Sequence, residues 1–373
     1  MEIIFLTLIL LSLYSYSIYP LVLFVISRGV LNLWDKKDIR QTVSIIISVY
    51  NEESIIEEKI QNTLKLDYPK DLVEIVVVSD GSTDRTVEIV SGIHDPRLVL
   101  RAFSERSGKT SCLNRVVPEA KGDIVLFSDA NSMFSPNLLR KLVRNFACPE
   151  VGLVTGWTKY RNHRGGERTS GTYSELERWT KYWESIISSC VGADGAIFAI
   201  RKSLFRPLED HDINDFVIPL HVLKQGKRAV LDPEVFCFEE PSKGVEQEYH
   251  RQVRITTRTL GAILCNKEFI NPWRYRSFSF FLISHKLIRF LVPFFLLGIF
   301  LTNLFLLNGS IIYAVILCGQ IFVLVLGLLS ILDIYTGKLS SLVKFYLITV
   351  SAQLVGWSRM LLGIKDTIWT PQR

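Results

Sequence analysis

Charge is missing from long stretches of this sequence, and cysteine is nowhere paired. The six cysteines, at 112, 148, 190, 237, 265 and 318, form no CxxC and have no histidines at zinc-ligand spacing. That excludes a zinc ribbon or a disulfide-built scaffold and leaves reduced, structural thiols. No internal repeat or low-complexity tract is present. The net charge of +6 is modest and its basic residues lie beside apolar runs, a pattern of membrane anchoring and not of nucleic-acid binding. Residues 3–27 carry no charge at all, enough to cross a bilayer as a helix. No small-residue cleavage site follows, and Arg28, Lys36, Lys37 and Arg40 come directly after, so a retained anchor with its C-terminal side in the cytosol is expected. Stretches 290–307 and 311–332 are further spans, and 342–363 is a weaker one because it holds Lys344, Gln353 and Arg359. Ahead of them, 273–290 mixes aromatic and basic residues as an interfacial amphipathic helix does. Lys365 and Arg373 prefer the cytosolic side, which leaves the last segment either crossing or lying flat.

At 373 residues the chain is too long for one ordinary core. The expected division is an N-terminal anchor over 1–30, a cytosolic domain over 40–270, and an interfacial helix with C-terminal spans over 271–373. In the middle region the periodicity switches repeatedly. Thr42 to Ser48 is a β-branched run fit for a strand buried on both faces, and Asn51 then caps a helix in which Ile56, Ile60 and Leu64 recur. Strands follow at Val73 to Val78, Leu98 to Phe103 and Asp123 to Ser128, with a helix opened by Ser135-Pro136 after the last. Repeated βα units of this length predict an α/β fold with a doubly wound, mostly parallel sheet. Ligands of such sheets sit at the carboxyl ends of the strands. Those ends carry Ser48 to Glu52, Ser79-Asp80, and Ser128-Asp129-Ala130-Asn131. Asp80 to Asp84 taken alone is turn composition. Three acid-bearing strand ends converging on one edge are harder to dismiss, and a site is expected there. Ser107-Gly108-Lys109-Thr110 imitates the end of a phosphate-binding P-loop, but Phe103 stands where that motif needs glycine.

These residues resemble an inverting, membrane-bound family-2 glycosyltransferase related to bacterial polysaccharide synthases. The resemblance rests on SVYNEE at 48–53, VVVSDGSTDRT at 76–86, GKTSCLN at 108–114, FSDAN at 127–131, GADGAIFAIRK at 192–202 and NDFVIPLHVLKQG at 214–226. It implies a GT-A fold, a nucleotide-diphosphate sugar as donor, most simply a UDP-sugar, and Mg2+ or Mn2+. Asp129 and Asn131 take the places of the Asp-x-Asp metal motif, with an amide as the second ligand. Ser48, Tyr50 and Glu52 would line the nucleoside pocket, Tyr50 stacking on the base. Asp80 would accept from the base's N–H, and Lys109 would lie near the diphosphate. Asp215 would be the catalytic base, with Asn214 in place of the usual Glu. Asp210, Asp212 and Glu209 nearby are read as surface charge. Gly192, Ala193, Asp194 and Gly195 would face the acceptor. Arg251 and Arg254 take the Gln and Arg places of a Gln-x-x-Arg-Trp motif whose Trp is Ile255 here, which argues against processive synthesis because an aliphatic side chain cannot stack on a sugar as indole does. The implied acceptor is lipid-linked or a growing glycan in cell-envelope or exopolysaccharide synthesis at the cell membrane, with partner enzymes of a polysaccharide pathway. The rival readings are a processive synthase that translocates its polymer, and an inactive nucleotide-sugar sensor or scaffold.

Overall fold

The computed structural model describes residues 1–30, 34–160, 172–240, 244–335 and 337–364. Lys365 and Arg373, invoked above for the side of the C-terminus, lie outside them. The chain forms two compact units, one of Leu23–Ser242 and one of Met1–Val22 with Lys243–Lys365.

The first unit is built on eight strands: β1 Val43–Val49, β2 Val73–Asp80, β3 Leu98–Phe103, β4 Ile124–Asp129, β5 Met133–Phe134, β6 Val151–Tyr160, β7 Ile197–Arg201 and β8 Arg228–Glu239. Their order in the sheet is β3-β2-β1-β4-β7-β6-β8-β5. The sheet is mostly parallel, with four parallel and three antiparallel pairings among the described residues. β1 is buried along its whole length, as its unbroken VSIIISV run requires of a central strand covered on both faces. Helix Ile56–Leu64 sends Ile56 and Ile60 into the layer over it.

The parallel block β3-β2-β1-β4 aligns its carboxyl ends, so that Ser48 pairs in register with Asp129 and Asp80 with Phe103. β7 runs the other way beside β4, with Ile197 opposite Ser128. Its amino end, and therefore the preceding 192–196 segment, lies on the same edge as Asp129.

Local boundaries differ from the sequence reading in three places. Asn51 does not cap a helix. Its φ is 54°, its side-chain oxygen accepts from Thr83 N at 2.8 Å, and the helix starts five residues later at Ile56. β2 continues past Val78 to Asp80, so Asp80 is a strand residue. Helix Leu138–Val143 starts after Asn137, two residues beyond Pro136.

In the second unit, helix Val245–Cys265 packs on Lys338–Leu361, where Gly356 leaves so little room that a Cβ would stand 2.6 Å from Thr256 Cβ. Among the described residues four helices are long and apolar enough to cross a membrane: Glu2–Arg28, Ser277–Leu306, Ile311–Ile331 and Leu339–Leu361. The segment read as an interfacial helix does not stand apart. Its first residues belong to a separate helical turn, Pro272–Tyr275; after a break at Arg276, with φ 47°, the rest runs on from Ser277 into the span through Leu306. Each of the first two spans contains a π-helical turn, Tyr14–Ile18 and Ile283–Leu287. The two turns meet, with Ser15 Oγ donating to the Ser284 carbonyl at 2.8 Å.

Candidate functional site

Four segments converge at the carboxyl edge of the sheet. The first is the loop after β3. Asp80, buried at the end of β2, accepts from the backbone N–H of Ser107 at 2.7 Å and of Gly108 at 2.9 Å. Two amides on one carboxylate fix the loop, and Gly108, with φ 91°, turns it into helix Lys109–Val116. Cys112 on that helix is inert, its thiol pushed up to about 12 by burial and by Asp80. Asp84, by contrast, has the turn role, accepting from Thr86 N at 3.0 Å and Glu53 N at 3.0 Å.

Fixing the loop fixes Lys109, whose Nζ donates to Asp129 Oδ1 at 2.6 Å. Asp129 is the last residue of β4 and Ala130-Asn131 form the turn beyond it. Asp129 is therefore half-exposed at the sheet edge with one oxygen engaged by Lys109.

The third segment is 192–195, and the fourth the start of helix Asn214–Lys224. They are bound together: Ala193 N donates to the Asp215 carbonyl at 2.7 Å, and a Cβ on Gly195 would lie 2.8 Å from Asp215 Oδ2. Gly195 thus makes the space in which the Asp215 carboxylate rests. Asp194 points to β6, where Thr158 Oγ1 donates to it at 3.0 Å, and its own N–H donates to Thr155 Oγ1 at 2.8 Å. Burial raises the pKa of Asp215, and Asp194 and Asp129 add to the rise, while Lys109 and Lys181 oppose it. Asp212, read as surface charge, is instead 5% exposed, and its Oδ2 accepts from Glu209 N at 2.9 Å. The short loop 209–212 folds back on it.

Ser48 and Glu52 are buried at the end of β1, Glu52 N donating to Thr86 Oγ1 at 2.8 Å. Tyr50 sits between them, its ring covered by the Arg106 guanidinium at 3.7 Å. Arg251 and Arg254 belong to the second unit, on helix Val245–Cys265, where Arg251 pairs with Glu248 at 3.3 Å.

Residues 44–208 match the family described as glycosyl transferase family 2. The chain carries a family-2 glycosyltransferase domain. Beta-monoglucosyldiacylglycerol synthase of Synechocystis sp. is 36% identical to it over 151 residues, 36% of this chain and 31% of that protein. Poly-beta-1,6-N-acetyl-D-glucosamine synthase of Staphylococcus aureus is 25% identical over 204 residues, 52% of this chain and 49% of that one. The chain thus matches between about a third and a half of the length of these relatives. A mannosyltransferase from Pyrobaculum calidifontis, PcManGT, solved with GDP-Man and Mn2+, superposes with a TM-score of 0.73 over 96% of this chain and 99% of its own, at 22% identity. The glycosyltransferase domain has the GT-A fold.

A divalent cation is implied for this fold at Asp129 and Asn131, and the donor set fits one. Both offer hard oxygen ligands of the kind such ions take. The Asn131 amide makes no hydrogen bond to a described residue. Among the described residues no third His, Cys, Asp or Glu joins them. Further oxygen ligands would be needed to complete a shell.

Three basic residues of the glycosyltransferase domain escaped the sequence reading. Arg106 stacks on Tyr50; its signal was a basic residue in the loop at the end of β3. Lys181 donates to the Ala193 carbonyl at 3.2 Å; burial works against its charge, but Glu177, Asp194 and Asp215 outweigh that and raise its pKa. Lys59 is buried completely, which lowers it to about 7 against the opposing pull of Cys237, Asp129 and Glu239. Neither of these two had a local signal, since each reads as one more lysine on an amphipathic helix.

Proposed function

We propose that the protein is an inverting glycosyltransferase at the cytosolic face of the cell membrane, moving a sugar from a nucleotide-diphosphate sugar to a lipid-linked or growing glycan acceptor in cell-envelope or exopolysaccharide synthesis. The observation that carries the reading is Asp215, a half-buried carboxylate with a raised pKa on the edge that also holds Lys109 and Asp129. A perturbed acid among charged partners at a strand-end site is the mark of a working base. An acceptor hydroxyl gives its proton to the Asp215 carboxylate while its oxygen attacks the anomeric carbon. The bond from that carbon to the diphosphate breaks on the opposite side, the electron pair leaves with the nucleotide, and the configuration inverts. Lys109 exchanges Asp129 for the diphosphate oxygens, and Tyr50 offers its ring to the base once Arg106 gives way. Mg2+ or Mn2+ held by Asp129 and Asn131 would neutralise charge growing on the leaving diphosphate.

The names of the relatives support an acceptor at a membrane, one making a glycolipid and the other a polymer. Ile255, in place of a stacking Trp, favours addition of single sugars. The GDP-Man held by the fold relative brings guanosine donors into consideration beside UDP-sugars.

The test is nucleotide-diphosphate release by the full chain in detergent with membrane lipid extract, across UDP- and GDP-sugars, with Mg2+, Mn2+ or EDTA. Metal-dependent release from one donor is expected, falling about 10²–10⁴-fold in Asp215→Asn, the range for loss of a general base. Product length then separates single addition from processive synthesis. Donor binding without turnover under every condition would overturn the reading in favour of a sensor or scaffold.

A further inference from the structure

Helix Ile56–Leu64 turns Ile56, Ile60 and Thr63 into the sheet, and Lys59 goes in with them, 0% exposed. An ammonium group is expensive to take out of water unless its donors are met, and a methionine there would have kept the apolar stripe intact. What Lys59 meets is the turn that carries Asp129 and Asn131. Its Nζ donates to Ser128 Oγ at 2.9 Å, one residue before Asp129, and to the carbonyl of Ser132, one residue after Asn131. The ring of Phe134 lies 3.4 Å away and takes the remaining side. Ser132 is itself fully buried, and its hydroxyl donates to Glu239 at the end of β8. One side chain therefore ties both ends of the turn from beneath, and the turn is tied in addition to β8.

We propose that Lys59 is a positioning residue for the donor's diphosphate and its divalent cation, holding turn 128–132 in the shape that presents the Asp129 carboxylate and the Asn131 amide together. This rests on the reading of Asp129 and Asn131 given under Proposed function. The need for such a device follows from Asn131. Two carboxylates would be drawn around a cation by its charge, whereas a carboxylate and a neutral amide lose much of that pull. The shape must then exist before the ion arrives, and the buried Lys59 amine, hydrogen-bonded to Ser128 and Ser132 beneath the turn, keeps it.

The test is Mn2+ binding to the purified full chain with UDP or GDP present, read from the spectrum of free Mn2+ by electron paramagnetic resonance, with no turnover involved. Lys59→Met, nearly isosteric, is expected to weaken Mn2+ binding about 10–100-fold, the effect typical of losing a residue that orients a metal ligand. The donor KM should rise with it, while kcat at saturating metal and donor falls less than about three-fold, which mere loss of packing would not produce. Unchanged Mn2+ affinity in folded Lys59→Met, or a kcat loss with KM unmoved, overturns the proposal. Should Lys59→Met fail to fold, Ser128→Ala removes one acceptor, and a weakening of Mn2+ binding in the same direction is expected; no change overturns the proposal. Asp129→Ala separates the two readings. If it abolishes Mn2+ binding while Lys59→Met does not alter it, only the inference about Lys59 falls; if Mn2+ binding survives Asp129→Ala, the assignment of the metal ligands falls and this inference with it.

Discussion

Asp215 carries its charge against the preference of its surroundings, and two substitutions expose that tension. Asp215→Asn is expected to cut turnover while making the folded protein more stable at pH values above the raised pKa of Asp215, by about 0.5–2 kcal/mol, the common gain when a functional compromise is relieved. Between the ordinary carboxylate range and its raised pKa, native Asp215 holds a proton that the unfolded chain has already released. The wild type therefore loses stability as pH rises from the ordinary carboxylate range through the raised value, and the neutral variant does not. Thermal unfolding of both proteins across that range checks it: the gain should be present above the raised pKa and vanish below the ordinary one. The same pKa sets the acid limb of the rate profile, expected above the usual carboxylate range and lost with the carboxylate. Gly195→Ala probes position without touching charge. Its new Cβ would stand 2.8 Å from Asp215 Oδ2, so the carboxylate must shift. A misplacement of about 1 Å costs about 10²-fold in rate when a reacting group is involved. Steady-state kinetics should show that loss with donor KM changed little, and an unchanged kcat would show that Asp215 Oδ2 is not where the proton goes.

At the scale of elements, the loop after β3 is held chiefly by Asp80, and this gives Asp80 a role different from the one its turn-like sequence suggests. Asp80→Ala leaves the amides of Ser107 and Gly108 without their acceptor. Hydrogen bonds to a charged group are worth about 1.5–3 kcal/mol each, so Lys109 should lose its fixed approach to Asp129. Donor KM is expected to rise about ten-fold or more, and hydrogen exchange of the 104–108 amides to quicken. A rise in exchange with KM unchanged would mean that the loop's order does not serve the donor. Much of this architecture could be read beforehand: β-branched runs marked β1, β2 and β4, β3 falls where its apolar run does, and the acids at strand ends gave the edge. What could not be read depends on partners remote in sequence. The reversal of β7, which brings 192–195 beside Asp129, is a matter of pairing and has no local signature. Lys59 sits at a position of its helix where an aliphatic residue would serve, and its role appears only when Ser128 and Ser132 close over it. Asn51 was misread as a cap because Asx residues serve turns and caps alike; the contact that decided it comes from Thr83.

At the scale of the whole molecule, a sugar-transfer domain and four apolar helices share one chain, and the order of segments along it sets which side of a membrane the domain occupies. The span Glu2–Arg28 ends on a basic residue, Lys36, Lys37 and Arg40 follow, and β1 begins at Val43. Lys36 is also tied into the domain through Asp232 at 3.0 Å, so this basic segment has a structural role whichever side it lies on. Arg and Lys within about 15–20 residues of a span favour the cytosolic side for that end, which would place the domain there as proposed above. The next span begins only at Ser277, and the short connection 307–310 between it and the third has no charge, as suits the opposite side. The domain is therefore expected to meet donors from the cytosol. Sealed inverted membrane vesicles should release nucleotide diphosphate from added donor without permeabilisation, while right-side-out vesicles should stay silent until detergent is added. The reverse pattern would place the Arg28 end of the first helix outside. It would also mean that the cluster at 28–40 binds the domain without orienting the chain.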